Sequence, residues 1–302
     1  MQNTKRGKRM TKAQVAVLEA QIYHALKNDH PQSVRHVFYL MTNPRLPVSV
    51  EKKDKGKNNG YNKIQNRMAV MRRSGRLPYH WVTDTTRRGY HVNTYADGGD
   101  YLRSVWRHYR FDLWREITTH VEVWCESRSI AGVIQSECDD YAVSLYPAGG
   151  FSSISFVYEA ASYIQDEIKH SGKERVCVLY IGDYDPAGVL VDRSIEKELR
   201  QHLPDIEIEF RRVGINPDQV QEYDLPTKPR KDGDNRVLHI RDTVEAEAMP
   251  AHLLRGLLRY ELESFIPARQ LAVMKIAEQS ERDGLEALAG NYVASQINGG
   301  AA

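Results

Sequence analysis

Three acidic residues stand where two apolar runs end. VEVWCE closes on Glu126, and VCVLYI runs into Gly182-Asp183-Tyr184-Asp185-Pro186-Ala187-Gly188. Carboxylates at neighbouring strand ends suit a hard divalent cation, and Mg2+ needs only one or two of them because it keeps several waters. In an extended Asp-x-Asp turn, Asp183 and Asp185 project the same way and can share an ion. The glycines permit a tight strand-to-helix turn, and Pro186 suits the first turn of the helix that follows. Asp185 by itself would read as a helix N-cap, but the combination after two apolar strands reads as a metal site. Glu122 lies deeper on the first strand, so Glu126 is the preferred ligand. Glu245 and Glu247, in VEAEAMP, are either a further acidic element of that site or a charge pair at a helix N-terminus.

These acids need a parallel sheet to bring them together. After about residue 118, short apolar runs at 119–126, 142–146, 175–181 and 206–213 alternate with helical stretches at 129–138, 152–171 and 187–202. That β-α-β-α order implies parallel strands joined by right-handed crossovers, with functional groups beyond the strand carboxyl ends. Further on, EYDLPTKPRKDGDNR reads as irregular, two helices start near Pro250 and Pro267, and the tail SQINGGAA reads as disordered.

The N-terminal part has a different texture. Residues 11–28 place Val15, Leu18, Ile22 and Leu26 at helical spacing, a second helix starts near Ser33, and a third at 61–74 aligns Ile64, Met68 and Met71. Two short extended runs follow in GRLPYHWVTDTTRRGYHVN. Three helices and a small hairpin outline a winged helix, whose third helix and wing would set Arg67, Arg72, Arg73, Arg76, Arg87 and Arg88 against DNA phosphates. The expected fold class is therefore α/β: a winged-helix domain over 1–97, a helical connector over 98–117, and a domain with a mostly parallel sheet over 118–302.

Charge divides along the same line. Residues 1–117 carry 23 Lys/Arg against 9 Asp/Glu, net +14, and the remainder nets −12. A basic half beside an acidic half suits a polyanion held next to a cation site, although two oppositely charged surfaces docking on each other would show the same asymmetry. Cys125, Cys138 and Cys177 are isolated from one another, which argues against a zinc site and for buried thiols. His36 and His91 belong to no cluster. No apolar run approaches the roughly 20 residues of a membrane span, and the N-terminus lacks the apolar stretch of a signal peptide, so a cytoplasmic protein without a membrane partner is expected.

Glu126 followed by GDYDPAG resembles the Toprim fold of topoisomerases, primases and related nucleases. GDYDPAG is similar to the GDxDPxG form of the topoisomerase VI A subunit and the meiotic double-strand-break proteins. SVRHVFYLM is similar to that family's arginine, short spacer and aromatic–tyrosine pair. RVGINPDQVQEYDLPTKP and VEAEAMPAHLL resemble the stand-alone A-like proteins of bacteria and phages, sometimes called Mini-A, so the likeness spans about residues 10–270. One departure is Ser127, where many relatives carry a basic residue.

The resemblance implies a type IIB topoisomerase A-like enzyme. Tyr39 would be the nucleophile with Arg35 beside it, and Glu126, Asp183 and Asp185 would hold Mg2+. A phenol titrates near pH 10 and attacks poorly unless cations stabilise its anion, and Arg35, one helical turn away, could do so. The product would be a 5′-phosphotyrosyl link on double-stranded DNA. A homodimer, with the tyrosine of one subunit at the metal site of the other, would cut both strands. The chain has no P-loop, so a topoisomerase reaction would draw its ATPase from a separate B-type subunit. Two alternatives are a Toprim nuclease that hydrolyses DNA with water and a non-catalytic DNA-binding module.

Overall fold

The computed structural model describes residues 10–52, 59–83, 92–150, 154–230, 234 and 236–299. Helix α1 (Lys12–Asn28) opens with a capping box in which the Thr11 side chain accepts from the Gln14 N–H, and it buries Leu18, Ile22 and Leu26. Ser33 caps α2 (Val34–Met41), whose short length is offset by burial of Val37, Phe38, Tyr39 and Met41. Asn59 caps α3 (Gly60–Arg73), which buries Ile64, Met68 and Met71 as the spacing predicts.

Only part of the expected hairpin lies within the described residues. Tyr79–Trp81 form a single 3-10 turn. The two-residue strand β2 (Val82–Thr83) pairs parallel with β1 (Gln32–Ser33), ahead of α2. Residues 92–95 are not in a strand, and Arg87, Arg88 and His91 lie outside the described residues.

The connector is less regular than expected. Helix α4 (Gly98–Val105) and a 3-10 turn at Trp106–His108 pack against the C-terminal helix, and the chain then runs without regular structure to the sheet.

The sheet follows the sequence closely. β3 (Thr119–Cys125), β4 (Ser144–Pro147), β5 (Arg175–Ile181) and β6 (Glu207–Gly214) form four parallel strands in the order β4-β3-β5-β6. β3 is buried along its whole length and β5 at all but its first residue, as strands covered on both faces must be. The connection from β3 moves to one side of the sheet and that from β5 to the other. Right-handed crossovers therefore put α5 (Arg128–Asp140) and α7 (Gly188–His202) on opposite faces, with α6 (Ile154–Ser171) beside α7.

One core cluster accordingly runs from Leu18 and Ile64 through Val123 and Leu179 to Leu254, so the N-terminal helices share a core with one sheet face. The other face packs Trp124, Val178 and Tyr180 against Ile164 and Ile195. All three cysteines are free and buried, as expected.

After α8 (Pro217–Glu222), the segment expected to be irregular contributes the short strand β7 (Lys228–Pro229), which pairs antiparallel with β8 (Asp242–Thr243) beyond it. Helices α9 (Ala251–Glu263) and α10 (Ala268–Gly299) start just after Pro250 and Pro267. Of the tail expected to be disordered, Ser295–Gly299 instead continue α10, and residues 300–302 lie outside the described residues. Among the described residues no helix is long and apolar enough to cross a membrane.

Candidate functional site

The carboxyl ends of β3 and β5 are neighbours in register, Cys125 opposite Ile181, so Glu126 and Asp183 emerge side by side. This is the crevice where the chain leaves adjacent strands toward opposite faces, the usual position for a site in such sheets. Glu126 Oε2 accepts the Asp183 N–H at 2.8 Å. Asp183 Oδ1 accepts the Ala246 N–H at 2.8 Å. Asp185 Oδ1 accepts the N–H groups of Ala187 and Gly188 at 2.9 and 2.6 Å, so it braces the turn before α7, whose N-cap is Ala187 and not Asp185.

Gly188 is required for a different reason from the one the sequence suggests. A Cβ there would meet the Asp183 carbonyl oxygen at 2.3 Å and Glu126 Oε2 at 3.2 Å. The glycine admits the site's own backbone, and no left-handed turn is involved. Glu122 is excluded from the site. It is fully buried, accepts the Trp124 indole N–H at 2.8 Å and lies 3.3 Å from His120 Nε2.

Two paired hydrogen bonds join Tyr184 to Val244, N to O at 2.8 and 2.9 Å, and fasten the segment after β8 to the Asp183 turn. That clasp carries Glu245 and Glu247 into the site. Glu247 is buried, and its Oε1 accepts from Ser127 Oγ at 3.3 Å. Burial, followed by the Glu126 and Glu247 charges, pushes the Asp183 carboxyl well above the ordinary range. Glu126 is also raised, by burial and by the charges of Asp185 and Glu247, against the opposing Asp183 N–H and Arg212.

Arg35 and Tyr39, both on α2, meet at Glu245. Arg35 Nη1 bonds Glu245 Oε2 at 3.0 Å, and Lys228 Nζ bonds Glu245 Oε1 at 2.6 Å. The Tyr39 hydroxyl interacts with the same carboxylate. The Lys52 and Lys228 ammonium groups lie 5.0 and 5.9 Å from the centre of the Tyr39 ring. Activation of the phenol by Arg35 is not what this arrangement gives. Burial and the Glu245 charge hold the Tyr39 proton far more tightly than in a free tyrosine, and Arg35 opposes them only in part.

An open cleft of about 1160 Å³ is lined by Arg35, Lys52, Asp183, Asp185, Lys228 and Glu245 among others. Tyr39 borders a smaller cavity of about 320 Å³ with Glu247, Gln32 and His36. Arg35 and Glu245 line the cleft beside Asp183 and Asp185, whereas Tyr39 lines the smaller cavity and meets the cleft only through Glu245.

The arginines expected to meet DNA differ in their surroundings. Arg67 bonds Glu19 on α1 at 3.1 Å, and Arg76 is also paired with Glu19. Arg72 stacks its guanidinium over Tyr79, 4.5 Å from the ring centre, and its Nε is buried without a partner. Arg73 is exposed at the end of α3.

Among the described residues, no three His, Cys, Asp or Glu side chains are disposed to hold a metal ion. The donor chemistry nevertheless fits Mg2+. The backbone N–H groups engage one oxygen each of Glu126, Asp183 and Asp185, and no hydrogen bond from a described residue reaches the second. Two such oxygens completed by water suffice for this ion, and burial together with neighbouring negative charge already makes Glu126 and Asp183 favour a bound positive charge.

Sequence reasoning missed Lys228, because a lysine in a segment read as irregular carries no periodic signal. The position of Glu245 beside Tyr39 was also missed, since it is set by a contact spanning more than two hundred residues. Comparison with protein-family models, curated proteins and solved structures gives no match for this chain.

Proposed function

We propose that the chain is a DNA-cleaving transesterase of the topoisomerase VI A type, built as a winged helix joined to a Toprim domain. The observation that carries this reading is the convergence of the Asp183 and Asp185 carboxylates with Arg35 on one cleft, and of Tyr39 on the carboxylate that Arg35 holds. Arg35 would hold the scissile phosphate while the Tyr39 oxygen attacks phosphorus. The P–O bond to the 3′-oxygen breaks, a 5′-phosphotyrosyl bond forms, and the phenol's proton is balanced by one gained at the 3′-hydroxyl. Bound by Glu126, Asp183 and Asp185, Mg2+ would offset charge on the phosphate and on the leaving oxygen. Two copies of the chain would cut both strands, and strand passage would need an ATPase partner.

A second reading is favoured by the state of Tyr39, which is buried and holds its proton. In a Toprim nuclease, water would attack and Tyr39 would be a bystander. The chemistry of the cut end separates the two, because only the first leaves protein on the DNA.

The metal side of the proposal is tested with the double variant Asp183→Asn, Asp185→Asn on supercoiled plasmid. Cleavage is expected to fall at least a hundredfold, to the level seen with EDTA, while duplex binding persists. Full cleavage by this variant would remove the metal site from the account.

A further inference from the structure

We propose that Arg35, Lys228 and the Tyr39 hydroxyl form a binding site for one phosphate of the DNA backbone, and that the chain's own Glu245 carboxylate fills it until DNA displaces it. The inference rests on reading the cleft as the DNA site and adds a phosphate-binding residue, Lys228, and an internal competitor, Glu245.

The two oxygens of Glu245 are shared out as the two non-bridging oxygens of a phosphodiester would be. Oε2 meets the Arg35 guanidinium at 3.0 Å and Oε1 meets the Lys228 ammonium at 2.6 Å, with the Tyr39 hydroxyl against the same group. Charge-assisted bonds of this kind are how proteins bind phosphate as well as carboxylate. The site favours an anion strongly. Glu245 is largely buried, which opposes its ionisation, yet the Lys228 bond and the Arg35 charge hold it below the ordinary carboxylate range.

The occupant stays tethered through its backbone even when its head group leaves. The Tyr184–Val244 clasp holds the chain immediately before it, so rotation of the Glu245 side chain alone empties the site. Emptying it also frees the Tyr39 hydroxyl from the Glu245 carboxylate, so phosphate binding and release of the phenol from Glu245 are one event.

The test is duplex binding by the full chain in EDTA, where no cutting interferes, read by fluorescence anisotropy over a series of salt concentrations. Glu245→Gln should tighten binding on the order of tenfold at low salt, well beyond Glu222→Gln, an exposed acid on α8 that serves as the charge control. Lys228→Ala should weaken binding for every sequence and flatten the salt dependence by about 0.9 in log–log slope, the loss of one phosphate contact. It carries the test even where Glu245→Gln fails to fold.

A Glu245→Gln protein that binds no tighter than Glu222→Gln overturns the inference, as does a Lys228→Ala protein with an unchanged slope. Inorganic phosphate is the second probe. If it stabilises Glu245→Gln against heat while duplex affinity stays at the control level, the site takes free phosphate and the assignment to DNA is overturned. Because binding is read without cleavage, these outcomes stand apart from any failure of Tyr39 to form an adduct. Tighter binding by Glu245→Gln together with no adduct from wild type would retain the site and reject only the transesterase reading.

Discussion

At the scale of single residues, the sheet sets where the acids stand. Glu126 and Asp183 follow directly on apolar strands, and parallel neighbours in register deliver whatever comes next to the same crevice. Tyr39 was legible only through resemblance, since nothing in an amphipathic stretch marks one tyrosine as reactive. His36 is buried and neutral, with Ser33 Oγ 2.9 Å from Nδ1. Burial first, and then the charges of Arg255 and Arg35, hold its pKa down to about 3, against 6.5 for a free histidine. The folded value lies below the unfolded one, so the contribution of neutral His36 is complete above about pH 6.5 and is lost as the pH falls toward 3. Urea unfolding of wild type should show a loss of about 2 kcal/mol between pH 7 and pH 5 that is missing in His36→Asn. Equal pH dependence in the two proteins would contradict the buried neutral imidazole.

At the scale of elements, every sheet strand lies within about two residues of its expected position, because β3 and β5 are apolar runs of a length that only a buried strand explains. The β7–β8 ribbon was not legible: its strands are two residues each and are separated by a long polar stretch. The roles of Glu245 and Glu247 depend on that ribbon and on the Tyr184–Val244 clasp, so local sequence could not choose between them. Val244→Pro deletes the N–H that bonds Tyr184 O and should cost about 1–3 kcal/mol in urea unfolding. The same variant should lose cleavage more than it loses duplex binding, and retention of cleavage would show that the clasp does not position the site. On α3, arginine spacing could not reveal Glu19 as a competitor for Arg67 and Arg76. Arg73→Ala should therefore lower the salt slope of duplex binding by about 0.9, while Arg67→Ala should change it less and stability more. The reverse ranking would place the DNA elsewhere on α3.

At the scale of the whole molecule, the division of charge between the two halves was plain in the sequence, and the fold gives it a geometry. The basic N-terminal helices share a core with one face of the sheet, and the acidic strand ends open toward Arg35, Lys52 and Lys228. Composition could not show that shared core, because it is built from Leu18, Ile64 and Leu254 across the full length of the chain. The proposed cleavage requires a phenol from the basic half and carboxylates from the acidic half to act on one phosphodiester. The most direct measurement is incubation of wild type and Tyr39→Phe with supercoiled plasmid and Mg2+, quenched in detergent and run with and without protease. Wild type should give cut DNA whose mobility depends on protease treatment, and Tyr39→Phe should give none while still binding the duplex. Protein-linked ends that survive in Tyr39→Phe, or cut ends that carry no protein in wild type, would contradict it.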